Sequence, residues 1–451
     1  MGKPIARLVL TSGGNTYTYS FTKPNVLLRI SHTEQPYSHT ANVLIDDYNN
    51  VLSALSLKGY QGVISYGYKT SAGDDYTGGA TAPIIVKAQE VMSVRRQRSA
   101  ISACQLVLYG LPDQLAQDEA QYPYRVDDTD TKTIKTLITD ICDLSLTDGT
   151  HTPYAHCTAV TVTFEPVSAA YPLGYDDDII DDYYPADYFS ISVGASRLAK
   201  IKELLGMTKC VMRFGDDGGL HIFNPTVSGS TYDYEYDDID KSKHTFFSKV
   251  YRTRLVLPNK ITVKSSDAHE TQYAGSYTSA ASYALLPKES FVVRRLTSYA
   301  QAIAIATAMI QKLEQDHEKG NGYAPLNCGQ EVYDYIKITD SLKSDERIGN
   351  IGWLTREFEP GRFDFKFGFG SILLGSTIGL QGLPSLGGES SVTWSEFGKQ
   401  IANIYNDMDR VYGYSQSNRD LIKSLTSTFE LMQDSVPKWR VTEQMIIPST
   451  P

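Results

Sequence analysis

EVYDYIKITD (331–340), NIGWLTREFE (350–359) and RFDFKFGF (362–369) read as three successive strands, rich in aromatic and β-branched residues and separated by Ser, Asp, Gly and Pro. Upstream, RTRLVLPNKITVKS (252–265) reads the same way. Between them lies a helix capped near Ser298, with Ile303, Ala306, Ile310 and Leu313 on one face and its end by Gly320. The combination predicts a small β-barrel with one helix over residues 246–370.

The chain starts in a similar way. ARLVLT and NTYTYSF flank Ser12-Gly13-Gly14, a hairpin signal. NVLLRIS, HTANVLID, GVISYGY, IIVKAQEVMSV and ISACQLVLYG follow at short, regular spacing, which predicts a first β-barrel over residues 1–126. Residues 127–245 change character. Thr129 or Asp130 is placed to cap a helix that buries Ile134, Leu137, Ile138 and Ile141. A second helix starts after Ser196, buries Leu198, Ile201, Leu204 and Leu205, and stops at Gly206. KCVMRF and LHIF then flank Gly215-Asp216-Asp217-Gly218-Gly219 as a hairpin. The expected fold class is mainly β with an α+β middle: two small β-barrel domains, the middle region and a long C-terminal helix.

That helix is written in heptads. A Gly/Ser-rich apolar linker over 371–395 leads into a helix over 396–436, followed by a tail over 437–451. Ile401, Met408, Ser415, Ile422 and Phe429 fall at position a, and Ile404, Val411, Asn418, Leu425 and Met432 at position d. A 3.5-residue apolar period buries one seam against partner helices, and β-branched residues at d favour three or more strands over two. Asn418 would be a buried polar register pin. A continuous helix from Phe397 to Met432 would run roughly 54 Å. Gly413 to Asn418 carries turn chemistry, so a helical hairpin is the competing reading. The heptad phase preserved across it favours the continuous coil.

A net charge of −10 argues against general nucleic-acid binding, which needs clustered Lys and Arg to neutralise phosphate. An acidic wall suits a passage that DNA crosses without being gripped. The five cysteines (Cys104, Cys142, Cys157, Cys210, Cys328) are far apart and form no Cys-x-x-Cys pair, as expected of thiols buried in a protein made in a reducing cytoplasm. MGKPIARLVL lacks the apolar core of a signal peptide, and no run reaches the ~18 apolar residues of a membrane helix. Tyrosine outnumbers phenylalanine 31 to 15, and its amphipathic ring suits subunit contacts.

Catalytic and cofactor signatures are missing from the sequence. There is no phosphate-binding glycine loop and no Gly-x-Ser-x-Gly elbow. His269-Glu270 and His317-Glu318 lack the second histidine of a zinc-peptidase helix, and His151 with His156 reads as a loop pair. No enzyme activity, cofactor or firm metal site is expected. Asp176, Asp178 and Asp181 are weak calcium candidates, and solvated loops are the favoured reading of both acidic clusters, 176–182 and 233–240. Phe367, Phe369, Ile372, Leu373, Leu374, Ile378 and Leu380 form an apolar Gly-rich run before the heptads, a candidate membrane or lumen segment. A linker or a loop packed at an oligomer centre is the favoured reading over membrane insertion of a fusion-like protein.

TRLVLPNKITVKS, LAKIKELLGMTKCVMRFGDDGGLHIFNP and EVYDYIKITDSLKSDERIGNIGWLTREFEPGRFDFKFGFG resemble the middle-domain and closing β-hairpin units of phage tail hub, or baseplate hub, proteins. The resemblance covers residues 1–370 and rests on structural patterns. It implies a homotrimer ringing the tail axis, located at the virion tail tip and assembled in the host cytoplasm. Such a ring joins the tail tube to distal tip, spike or fibre proteins around the passage for DNA ejection. A peptidase or lysozyme domain, common on tail-tip proteins, has no counterpart. The alternative is a receptor-binding or fibre adaptor of the virion.

Overall fold

Strands dominate the computed structural model because the alternating runs satisfy their backbone donors in sheets while burying one face. The structure describes residues 3–369, apart from short segments at 22–25, 48–49, 97–98, 126–129, 176–177, 186–187, 241, 247, 254, 266–270, 316–317, 326 and 361. The expected linker, heptad helix and tail, with every seam residue from Ile401 to Met432, lie outside the described residues.

The first lobe contains β1 (Lys3–Ser12), β2 (Asn15–Tyr19), β3 (Leu27–Gln35), β4 (Ser38–Asp46), β5 (Gln61–Thr70), β6 (Gly73–Asp75), β7 (Ile84–Arg96) and β8 (Ser99–Gly110). The helix α1 (Leu111–Gln117) follows it. The middle region carries β9 (Tyr124–Arg125), α2 (Ile134–Asp143), β10 (Val162–Phe164), α3 (Asp178–Asp182), β11 (Ser190–Ile191), α4 (Arg197–Leu205), β12 (Val211–Phe214) and β13 (Leu220–Phe223). Then come β14 (Tyr234–Asp237), β15 (Ser248–Thr253), β16 (Lys260–Lys264), β17 (Ala274–Thr278), α5 (Ala280–Leu285), β18 (Glu289–Val293) and α6 (Tyr299–Gln315). The last strands are β19 (Glu318–Ala324), β20 (Tyr335–Asp340), β21 (Asp345–Glu359) and β22 (Arg362–Phe369).

The two expected barrels do not close. One 14-stranded sheet runs in the order β2-β1-β5-β7-β8-β4-β3-β21-β22-β19-β15, with β6 on β5, β20 on β21 and β14 on β20. The edge of β3 that would shut the first lobe on itself is taken instead by β21, with Ile30 to Glu34 opposite Phe358 to Leu354. Strand spacing shows how many strands there are; it does not show which edges pair. The 15-residue β21 is long enough to serve β20 at one end and β3 at the other.

Three cores result. Ala6, Leu8 and Leu10 of β1 meet Ile30, Val43, Ile64 and Leu106 in the first lobe, and Phe358 of β21 belongs to this core as well. Ile336, Ile338, Ile351, Leu354, Phe365, Phe367 and Phe369 form the second lobe's core with Tyr236. The third gathers α2, α4, β12 and β13 of the middle region, and Ile261, Val263, Val292, Ala302, Ile305 and Met309 of the 256–313 segment pack into it too.

Helix α4 has its Ser196 cap, which accepts from Ala199 N, its C-cap at Gly206 and the expected buried face. Helix α2 buries the expected residues, but its cap is Thr133, accepting from Thr136 N, because Thr133 directly precedes the first apolar residue. Asp130 instead accepts from Lys132 N in the turn before it. In α6, Ser298 Oγ accepts from Gln301 N as a cap should, but the buried face is Ala302, Ile305, Ala306, Met309 and Ile310. Ile303 is exposed. Arg197, fully buried at the start of α4, donates to the Ile141 and Cys142 carbonyls at the end of α2 and pairs with Asp118 at 3.0 Å. A cation there satisfies orphan carbonyls and complements the helix dipole.

Candidate functional site

Where the lobes join, β3 and β21 place His32 opposite Arg356. Leu354, Arg356 and Phe358 share one strand face by the two-residue period, so Arg356 points inward and is only 2% exposed. A buried guanidinium must be paired. Its Nη1 pairs with Glu34, and its Nη2 donates to the Gln330 carbonyl at 2.6 Å. The guanidinium lies 5.5 Å from the ring centroid of Tyr66.

The β3–β4 hairpin carries HTEQPYSH from His32 to His39. His32 and Glu34 share a face, and the turn brings His39 opposite Glu34. His32 Nε2 lies 2.5 Å from His39 Nε2, and Tyr66 Oη lies 3.1 Å from His32 Nδ1. Glu34 Oε1 is 3.4 Å from His32 Nε2 and 4.0 Å from His39 Nε2. Burial, then His39 and Arg356, hold His32 well below the usual imidazole range. Burial also lowers His39, with Arg356 adding to the effect against the opposing pull of Glu34 and Asp113. Both rings are therefore neutral, and burial keeps the Tyr66 hydroxyl protonated. Asp113 of α1 fixes the hairpin by accepting from Ser38 Oγ at 2.8 Å and His39 N at 2.7 Å.

Beside this cluster a polar cavity of about 50 Å³ is lined in part by Glu34, His39, Arg213, Glu331 and Arg356. Arg213 of β12 reaches it from the middle region, 3.0 Å from Glu331, 3.5 Å from Asp334 and 3.1 Å from Tyr171 Oη. Burial raises both the Glu331 and Asp334 carboxyls, and Arg213 opposes it. The first lobe, middle region and second lobe thus meet at one polar junction. Its chemistry is that of a clamp, with the buried Arg356 and the partly buried Arg213 each held by acidic groups from another part of the chain.

The sequence-derived candidates lie elsewhere. Phe367 and Phe369 are buried core residues of β22; Ile372, Leu373, Leu374, Ile378 and Leu380 lie outside the described residues. Asp176 lies outside them too, and Asp178 opens α3. Asp181 pairs with Lys135 at 3.0 Å. In the other acidic cluster Asp237 accepts from Ile239 N and Asp240 N, Glu235 pairs with Lys243, and Asp238 accepts from Ser341 N. These carboxylates order turns. The five cysteines form no disulfide; Cys104, Cys142 and Cys210 are buried and Cys157 and Cys328 partly so. No helix among the described residues is long and apolar enough to cross a membrane.

No protein-family model and no curated protein matches the sequence. Among solved structures, the chain is similar to the tail protein from Neisseria meningitidis MC58, with a TM-score of 0.53 at 10% identity, over 82% of this chain and 97% of that one. It also resembles the 43 kDa tail protein of prophage MuSo2 from Shewanella oneidensis (TM-score 0.49, 11% identity, 84% of this chain and 100% of that one). A further likeness is to prophage tail protein gp18 from Listeria monocytogenes EGD-e (TM-score 0.46, 11% identity, 81% and 94%). The Neisseria likeness, above 0.5 and spanning nearly the whole of that chain, carries the fold assignment. The chain has the fold of that tail protein.

Proposed function

We propose that the chain is a structural hub of a phage tail tip, a homotrimeric ring that joins the tail tube to distal tip, spike or fibre proteins and surrounds the DNA passage. The observation that carries this reading is the tail-protein fold, which extends over 82% of the chain. The two lobes share one sheet and are held together by Arg356, and Arg213 ties the second lobe to the middle region, so each subunit would contribute a stiff body to the ring. Self-association would come from the heptad seam, Ile401, Ile404, Met408, Val411, Asn418, Ile422, Leu425, Phe429 and Met432, running near the ring axis. The segment Ile372 to Leu380 would pack at the centre of the trimer. The net charge of −10 is compatible with a bore that DNA crosses without specific binding. The role is mechanical and steric, with no reaction assigned.

Electron microscopy of the purified full-length chain tests this reading. The expected particles are three-fold rings with a central opening. Particles of a single wedge, or of two-fold symmetry, would overturn the ring.

A further inference from the structure

We propose that His32, Glu34 and His39 form a binding site for a divalent transition metal of the zinc class, set in the hairpin at the junction of the two lobes. Two imidazole nitrogens and one carboxylate oxygen lie within 4.8 Å of one another. This donor set suits Zn²⁺ and its neighbours, whereas calcium and magnesium prefer oxygen alone.

The local geometry supports the assignment in three ways. The His32 and His39 Nε2 atoms face each other at 2.5 Å, closer than the ~2.9 Å of an ordinary hydrogen bond to nitrogen, so the fold drives two nitrogen donors toward one point. A tetrahedral ion with bonds of about 2.0–2.1 Å needs them roughly 3.3 Å apart, so the two rings must part by about 0.8 Å to admit one. Tyr66 Oη on His32 Nδ1 supplies the outer hydrogen bond that fixes the ring and leaves Nε2 as the donor. The cavity of about 50 Å³ bordering Glu34 and His39 has room for a water as fourth ligand.

Arg356 is the opposing term, since its guanidinium pairs with the Glu34 oxygen nearest the imidazoles. An ion that takes this oxygen must compete with the guanidinium for it. Asp113, which accepts from the backbone of His39, supplies a further negative charge close by. The site should therefore bind with moderate affinity, and weakening the arginine should strengthen it. This result would set the site apart from a purely structural histidine pair.

Co²⁺ titration of the full-length chain, followed by visible d–d absorption, provides the test. One Co²⁺ per chain with a tetrahedral spectrum is expected, displaced by Zn²⁺. His39→Gln and His32→Gln should each abolish the signal, and Arg356→Gln should tighten binding several-fold. No binding by the wild-type chain would overturn the site, as would binding that both histidine variants retain. If these variants fail to fold, X-ray absorption of the Zn²⁺-loaded wild-type chain still decides: two imidazole ligands support the site, and one or none overturns it.

Discussion

Glu165 and Asp217 hold the His221 imidazole from two sides, Nδ1 at 2.5 Å and Nε2 at 2.9 Å. His221 sits in β13, Glu165 just after β10 and Asp217 at the tip of the β12–β13 hairpin, so one ring ties the small middle sheet together. Burial pulls the ring's pKa down, but the two carboxylate hydrogen bonds outweigh it and the pKa is raised. A raised value in the folded state means that the added stability is fully present below the ordinary value of about 6.5. It is lost as pH rises through the folded value. His221→Asn should therefore cost about 1–3 kcal/mol below pH 6.5 and progressively less above it, measured by urea denaturation across pH. A gap that widens with pH would contradict this. Little of this was legible in the sequence, where Asp217 read as a turn residue and His221 as one position of a strand. His32, Glu34 and His39 had a readable signal: two residues two apart in a strand, with the third beyond a short turn. Arg356 had one too, because it alternates with Leu354 and Phe358. Inward-pointing arginine is rare enough that a charge in a strand reads as solvent-facing by default.

Helix α4 and the β12–β13 hairpin were legible because their signals are local: a serine cap, a terminating glycine and a glycine-rich turn. The register of α6 was not. Ile303 and Ala302 are neighbours in a helix with alanine and isoleucine on several faces, so the pattern alone could not say which stripe was buried. Tertiary packing chose the stripe containing the smaller Ala302, where Gly275 of β17 approaches the helix so closely that its own Cβ would meet the Ile303 backbone at 2.6 Å. Sheet order was the least legible feature, because β3 and β21 lie more than 300 residues apart. Phe358 tests their union. It stands on a strand of the second lobe and is fully buried in the core of the first. Phe358→Ala should cost about 3–5 kcal/mol, and amides of β3, β4 and β21 should lose exchange protection together. A loss below about 1 kcal/mol, or one confined to β21, would contradict a shared sheet.

At the scale of the whole molecule, one sheet joins the cores of the two lobes, and one polar junction ties the middle region to them. Its tail-protein fold was legible from strand-and-helix patterns, whereas its closure was misjudged for the pairing reason above. The step from this fold to a ring rests on the heptads, whose β-branched d positions Ile404 and Val411 favour three strands. The Gly413–Asn418 interruption is where that step would fail, since a hairpin there would turn the seam back on its own chain. The decisive measurement is the mass of the purified full-length chain in solution by light scattering, alone and with Ile404→Asp and Leu425→Asp combined. The hub reading predicts three times the mass of one chain for the wild type and a single chain for the variant. A wild-type chain that is monomeric, or a variant of unchanged mass, would contradict it.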